Sequence, residues 1–138
     1  MKTPLALVVE DAGNLAEIFA LALAAAGYQT ITLNNGQDAR QFLDTQIPDL
    51  LLLDIHLPQD NGDRLLADIR QLPHFAQMMI IVVTADSRRG EELRDVADFV
   101  LHKPISFAQL RDLSRRLTAT MTHLHTGPFD QLWDEERP

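Results

Sequence analysis

Five short runs suited to strands alternate with five stretches patterned as helices. This alternation constrains the fold more than any other feature, because parallel strands joined by helical crossovers satisfy it and antiparallel plans do not. The first run, Leu5–Val9, is apolar throughout, as a strand covered on both faces requires. Leu15, Ile18, Phe19, Ala22 and Leu23 then fall at i, i+3, i+4, i+7 and i+8, the expected buried face of a first helix. Asn14 followed by Glu17 suggests a capping box, and Gly27 is placed to close that helix in a left-handed conformation.

Residues 30–33 read as a second strand, broken by Asn34-Asn35-Gly36, and Ala39, Phe42 and Leu43 mark a short second helix. Leu50–Asp54 is a third strand, entered through Pro48. Gly62 opens a third helix carrying Leu65, Leu66 and Ile69, which Pro73 ends. Met79–Thr84 is a fourth strand, β-branched at Ile80, Ile81, Val82 and Val83. Residues 91–97 leave room for about two turns of a fourth helix, and 99–101 form a brief fifth strand. Ser106 with Gln109 suggests a second capping box, with Phe107, Leu110, Leu113 and Leu117 as the buried face of a last helix. The domain is expected to span residues 1–120. Residues 121–138 read as a tail, partly helical or disordered, in which Phe129, Leu132 and Trp133 have the spacing of a short anchoring helix.

In parallel α/β sheets the ligand site lies beyond the carboxyl ends of the strands, at the switch in strand order. Those ends carry Glu10 and Asp11, Asp54, Thr84 and Lys103. Three carboxylates in one pocket raise one another's pKa unless a cation joins them. Oxygen donors without His or Cys suit Mg²⁺. Lys103 and the Thr84 hydroxyl add a positive charge and a donor for phosphoryl oxygens. The pocket reads as one built to put a phosphoryl group on a carboxylate.

Composition removes other classes. The chain has no cysteine, which excludes disulfides, thiol catalysis and thiolate metal sites. Twelve Lys+Arg against twenty Asp+Glu leave a net charge of −8, which disfavours nucleic acid and anionic membranes as partners. No apolar run is long enough to span a membrane. The expectation is a soluble, cytoplasmic, one-domain protein.

The ordered set of strand-end residues resembles the receiver domain of two-component response regulators. The matching pieces are Val8-Val9-Glu10-Asp11, Leu53-Asp54-Ile55-His56-Leu57-Pro58 with Gly62 eight residues after Asp54, Val83-Thr84-Ala85, and Lys103-Pro104-Ile105. The resemblance covers about residues 4–120. It implies a flavodoxin-like, doubly wound parallel sheet of strand order 2-1-3-4-5, with helices on both faces; the spacing of this chain leaves room only for a short fourth helix. It implies that Asp54 accepts a phosphoryl group from a sensor histidine kinase or a histidine phosphotransfer protein. Asp11 and Asp54 would hold Mg²⁺ directly, Glu10 through water, and the His56 main-chain carbonyl would complete the protein ligands. Thr84 and Lys103 would engage the phosphoryl oxygens, and Lys103-Pro104 would be cis. Activity would be limited to self-catalysed phosphotransfer and autodephosphorylation. The output would be a contact with a downstream protein, and the family allows a homodimer through the face of the fourth helix, fifth strand and last helix.

Two features depart from the family pattern. Val100 stands three residues before Lys103, where Tyr or Phe is common, and Phe99 faces the opposite way. The interval from Thr84 to Lys103 is about one helical turn short.

Three other readings compete. An aspartyl phosphohydrolase would need a second Asp where His56 stands. A flavodoxin-like electron carrier would need a glycine- and hydroxyl-rich phosphate loop where Glu10-Asp11-Ala12-Gly13 stands. A phosphorylation-independent interaction module is disfavoured by the intact acidic set. His56 and Asp86, each two residues past a site residue, are expected to flank the path of water to the phosphoryl group. Arg88, Arg89, Arg111, Arg115 and Arg116 read as solvated faces or protein contacts. His102, His123 and His125 match no closed metal site.

Overall fold

The computed structural model describes residues 3–57 and 61–124, with 121–124 described for backbone only. Its strands are β1 (Leu5–Val9), β2 (Gln29–Leu33), β3 (Leu50–Asp54), β4 (Met79–Thr84) and β5 (Phe99–His102). Its helices are α1 (Gly13–Ala25), α2 (Gly36–Thr45), α3 (Gly62–Arg70), α4 (Ser87–Glu92) and α5 (Phe107–Leu124), with a 3₁₀ turn at Pro73–Phe75. The strands form one parallel sheet in the order β2-β1-β3-β4-β5. This is the order implied by the resemblance.

Side chains alternate across the sheet and build two cores. Leu7, Val9, Leu51, Leu53, Ile80 and Val82 pack on one face with Ala39 and Leu43 of α2 and Leu65, Leu66 and Ile69 of α3. Ala6, Val8, Leu50, Leu52, Ile81 and Val83 pack on the other with Phe19, Ala22 and Leu23 of α1 and Leu110, Leu113 and Leu117 of α5. Each fully buried Leu, Ile or Val contributes roughly 1.5–3 kcal/mol by leaving water. The cluster around Leu93 and Ala97 takes in Val100, whereas Phe99 and Leu101 join the opposite cluster. Phe99 therefore cannot stand in for an aromatic ring at position 100.

Several local expectations give way. α1 has Ala12 at its N-cap and no side-chain cap, so the Asn14–Glu17 box does not form; the helix has already begun at Gly13. Ile18 is exposed, and Ala16, Phe19, Ala22 and Leu23 make the buried face instead. The end of α1 behaves as expected: Gly27 has φ 105°, Tyr28 N donates to Leu23 O and Gly27 N to Ala24 O. Asn35 and Asn61 cap α2 and α3 through their side-chain oxygens.

The fourth helix lies earlier than 91–97. Asp86 Oδ1 accepts from both Arg88 N and Arg89 N and starts α4 at once, while Leu93 and Ala97 enter the core from a run of turns. On α5, Ser106 Oγ accepts from Gln109 N, but Phe107 is exposed and stacks under the Arg111 guanidinium. α5 also runs to Leu124, four residues past the expected boundary. The anchoring helix expected at Phe129, Leu132 and Trp133 lies outside the described residues.

Candidate functional site

Strand register assembles the site. Val9 pairs with Leu53, so Glu10, one residue past β1, stands level with Asp54 at the end of β3. Asp54 pairs with Val83 and Thr84 with His102, which carries Lys103 one residue past β5 to the same end of the sheet. Lys103 N donates to Thr84 O at 2.8 Å, and the Lys103-Pro104 peptide bond is cis.

Glu10, Asp11 and Asp54 bring carboxylate oxygens within 4.8 Å of one another. Glu10 and Asp54 are buried, at 1% and 4% exposed, whereas Asp11 faces solvent. Lys103 Nζ lies 2.9 Å from Glu10 Oε1 and 3.4 Å from Asp54 Oδ2. Glu10 Oε2 accepts from Ala12 N, and Asp54 Oδ1 accepts from His56 N at 3.0 Å.

The charges do not balance. Burial pushes the Glu10 carboxyl up to about 7, the adjacent Asp54 adds to this, and Lys103 opposes it. Burial works against the charge on Lys103, yet the carboxylates of Glu10 and Asp54 hold its pKa above the ordinary value. Among the described residues, Lys103 is the cation at ion-pair distance from this cluster, and it is shared between Glu10 and Asp54. Three clustered carboxylates, two of them sharing a single ammonium, are a donor set that a hard divalent cation fits.

Thr84 is fully buried. Its Oγ1 accepts from Asp86 N at 3.0 Å and lies 2.9 Å from Nε2 of the exposed His56 ring. The His56–Thr84 contact was not legible in the sequence, which pointed to the His56 main-chain carbonyl and to a place beside the path of water. Asp86, expected beside the path of water, also caps α4 through Oδ1. Arg89 is partly exposed and pairs with Asp63 and Glu92. His102 lies on β5 against α4, apart from the acidic cluster, and the side chains of His123 and His125 lie outside the described residues.

A family model described as the response regulator receiver domain matches residues 6–115. The phosphate regulon transcriptional regulatory protein PhoB of Rhizobium meliloti (strain 1021) is 35% identical over 111 residues, covering 78% of this chain and 48% of PhoB. The polar-differentiation response regulator DivK of Brucella anthropi is 31% identical over 103 residues, covering 72% of this chain and 84% of DivK. This chain spans about half the length of the PhoB relatives it matches. Among solved structures, a CheY-like response regulator receiver domain from Methylobacillus flagellatus aligns with a TM-score of 0.72 at 31% identity. That alignment covers 81% of this chain and 96% of the other.

Proposed function

The chain belongs to the response regulator receiver domain family, and on that premise we propose that Asp54 is its phosphoryl acceptor in a Mg²⁺-dependent reaction. The observation that carries this reading is the convergence of Glu10, Asp11 and Asp54 within 4.8 Å, with the Lys103 ammonium beside Asp54.

An Asp54 carboxylate oxygen attacks the phosphorus of a phosphohistidine on a partner kinase or phosphotransfer protein. An O–P bond forms as the P–N bond breaks, and the electron pair of that bond stays with the histidine. Asp11 and Asp54 would hold Mg²⁺ directly, Glu10 through water and His56 through its main-chain carbonyl. When bound, the ion supplies positive charge for the phosphoryl oxygens. Lys103 turns its ammonium toward the transferred group. The Thr84 hydroxyl donates to one of its oxygens. Hydrolysis of the acyl phosphate by water returns the protein to its resting form, so the chain's own chemistry is confined to phosphotransfer and autodephosphorylation. The signal passes to a downstream protein by contact, in the cytoplasm.

Intact mass after incubation with a small-molecule phosphodonor, with and without EDTA, tests this. One phosphoryl group is expected to appear only with Mg²⁺ present, and to be lost in Asp54→Asn. Labelling that survives that substitution unchanged overturns the assignment.

A further inference from the structure

We propose that the His56 side chain is a positioning residue: its Nε2–H, together with the Asp86 amide, makes the buried Thr84 hydroxyl an obligate hydrogen-bond donor to an oxyanion bound at Asp54. This rests on the reading of Asp54 as phosphoryl acceptor and adds to it a role for the imidazole that the main-chain carbonyl of His56 does not fill.

Thr84 Oγ1 has two lone pairs and one proton. Asp86 N–H takes one lone pair at 3.0 Å. His56 Nε2 sits 2.9 Å away on the same oxygen. An imidazole Nε2 donates in the Nε2–H tautomer and in the imidazolium, and accepts only in the Nδ1–H tautomer. With Nε2–H donating, both lone pairs of Oγ1 are engaged and only the proton remains. No further partner of Oγ1 is found among the described residues. The hydroxyl can then satisfy itself only by donating to an incoming oxygen, and each bond it accepts polarises the one it gives.

The backbone builds this arrangement. His56 N donates to Asp54 Oδ1 and Ile55 N donates to Val83 O, which fix the chain leaving β3 alongside β4. From there the exposed imidazole reaches across to the end of β4. The contact joins residues 28 apart in the chain. The Asp86 amide reaches the same oxygen locally, from two residues further along the chain.

The test uses the full 138-residue chain, with beryllofluoride and Mg²⁺ as a tetrahedral probe of the acceptor. Beryllofluoride affinity is read by calorimetry for wild type, His56→Ala, His56→Gln, Thr84→Ala and the His56→Ala/Thr84→Ala pair. His56→Ala is expected to weaken binding about fivefold, the size of one net hydrogen bond. His56→Gln, whose side-chain amide donates near the position of Nε2, is expected to recover binding to within about twofold. In the Thr84→Ala background the His56→Ala change is expected to fall below about twofold, because the imidazole acts through the hydroxyl. ¹⁵N NMR of the metal-free wild type is expected to report a proton on His56 Nε2. Additive effects in the cycle, a Gln variant no better than Ala, or an Nδ1–H tautomer overturns the proposal. Intact-mass phosphorylation of the wild type separates the two readings. Labelling at Asp54 with no dependence on His56 removes this inference alone, whereas no labelling and no beryllofluoride binding remove both.

Discussion

Arg89 Nε donates to Asp63 Oδ1 across 2.9 Å, tying α4 to the first turn of α3. Both helices follow loops that leave site residues, α4 directly after β4 and α3 after the longer loop from β3. Asp63 follows the Asn61 cap at the end of the loop from Asp54. Arg89 follows the Asp86 cap, whose amide is bonded to Thr84 Oγ1. A shift of the Thr84 hydroxyl therefore disturbs the α4 cap directly, and α3 through the ion pair.

That linkage defines where change should spread. Arg70 pins the segment before β5 by donating to Val96 O and pairing with Asp98, whose carboxylate also accepts from Ile80 N. Val100 offers two methyl groups and a stiff χ1 in place of a rotating ring. With beryllofluoride and Mg²⁺, amide exchange is expected to change most at residues 54–62 and 84–93 and less at 96–101. In Arg89→Met the response at 61–66 is expected to shrink while that at 84–90 persists. The stability loss should stay within about 1 kcal/mol, since the pair is partly exposed. Equal responses across 96–101 and the site loops would contradict this scheme.

Two glycines at the same end of the sheet are expected to differ. A methyl at Gly62 would stand 2.7 Å from Ile55 Cα and from Ile55 O, and 2.9 Å from Asp54 O, all backbone. A methyl at Gly90 would meet His102 Nε2 at 2.7 Å, Val100 Cγ1 at 3.1 Å and Thr84 Cγ2 at 3.2 Å, all side chain. Gly62→Ala is expected to lose about 2 kcal/mol or more in urea unfolding, because main chain must move. Gly90→Ala should lose less, because the helix gains about 1 kcal/mol on replacing Gly by Ala. Adding His102→Ala to Gly90→Ala should cost less than His102→Ala alone. A larger loss at Gly90 than at Gly62 would refute the ranking.

The chain's one tyrosine reports on the α1–α5 contact. Burial raises the Tyr28 pKa above 10.0, as does the charge of Asp49, against the opposing pull of Thr118. Its hydroxyl donates to Ser114 O. The folded state thus holds this proton more tightly than the unfolded chain. The associated stability is complete below pH 10 and is lost as pH rises through the higher folded value. Phenolate absorbance is expected to titrate above 10 in the native protein and near 10 in denaturant. Tyr28→Phe should remove this part of the alkaline loss. A native midpoint at or below the denatured one would rule out the assigned burial effect.

Much of the architecture was legible in the sequence because it follows from short-range pattern. Leu5–Val9, Leu50–Asp54 and Met79–Thr84 are apolar enough to demand cover on both faces, and observed strands match those bounds. Once such strands lie parallel, the residues that follow them must gather at one end. That is why Glu10, Asp11, Asp54, Thr84 and Lys103 could be grouped without coordinates.

Local pattern went wrong where two local signals competed. Residues 91–97 have room for the fourth helix, but the Asp86 carboxylate, which satisfies two free amides, starts it earlier. Asn14 looked like a cap until Gly13 proved already helical. Ile18 and Phe107 fit the helical period yet stay exposed, since neighbouring residues fill the available core.

The sequence by itself determined which residues form the sheet and which polar groups stand at its carboxyl edge, because a strand's period and apolar character are properties of consecutive residues. The tertiary structure alone decided that His56 meets Thr84, that Arg89 reaches Asp63, and that α4 packs Gly90 against Val100 and Thr84. The first two pairs are 28 and 26 residues apart. Contacts of this kind depend on how the β3 and β4 loops emerge side by side, a spatial relation that no periodicity within either loop encodes.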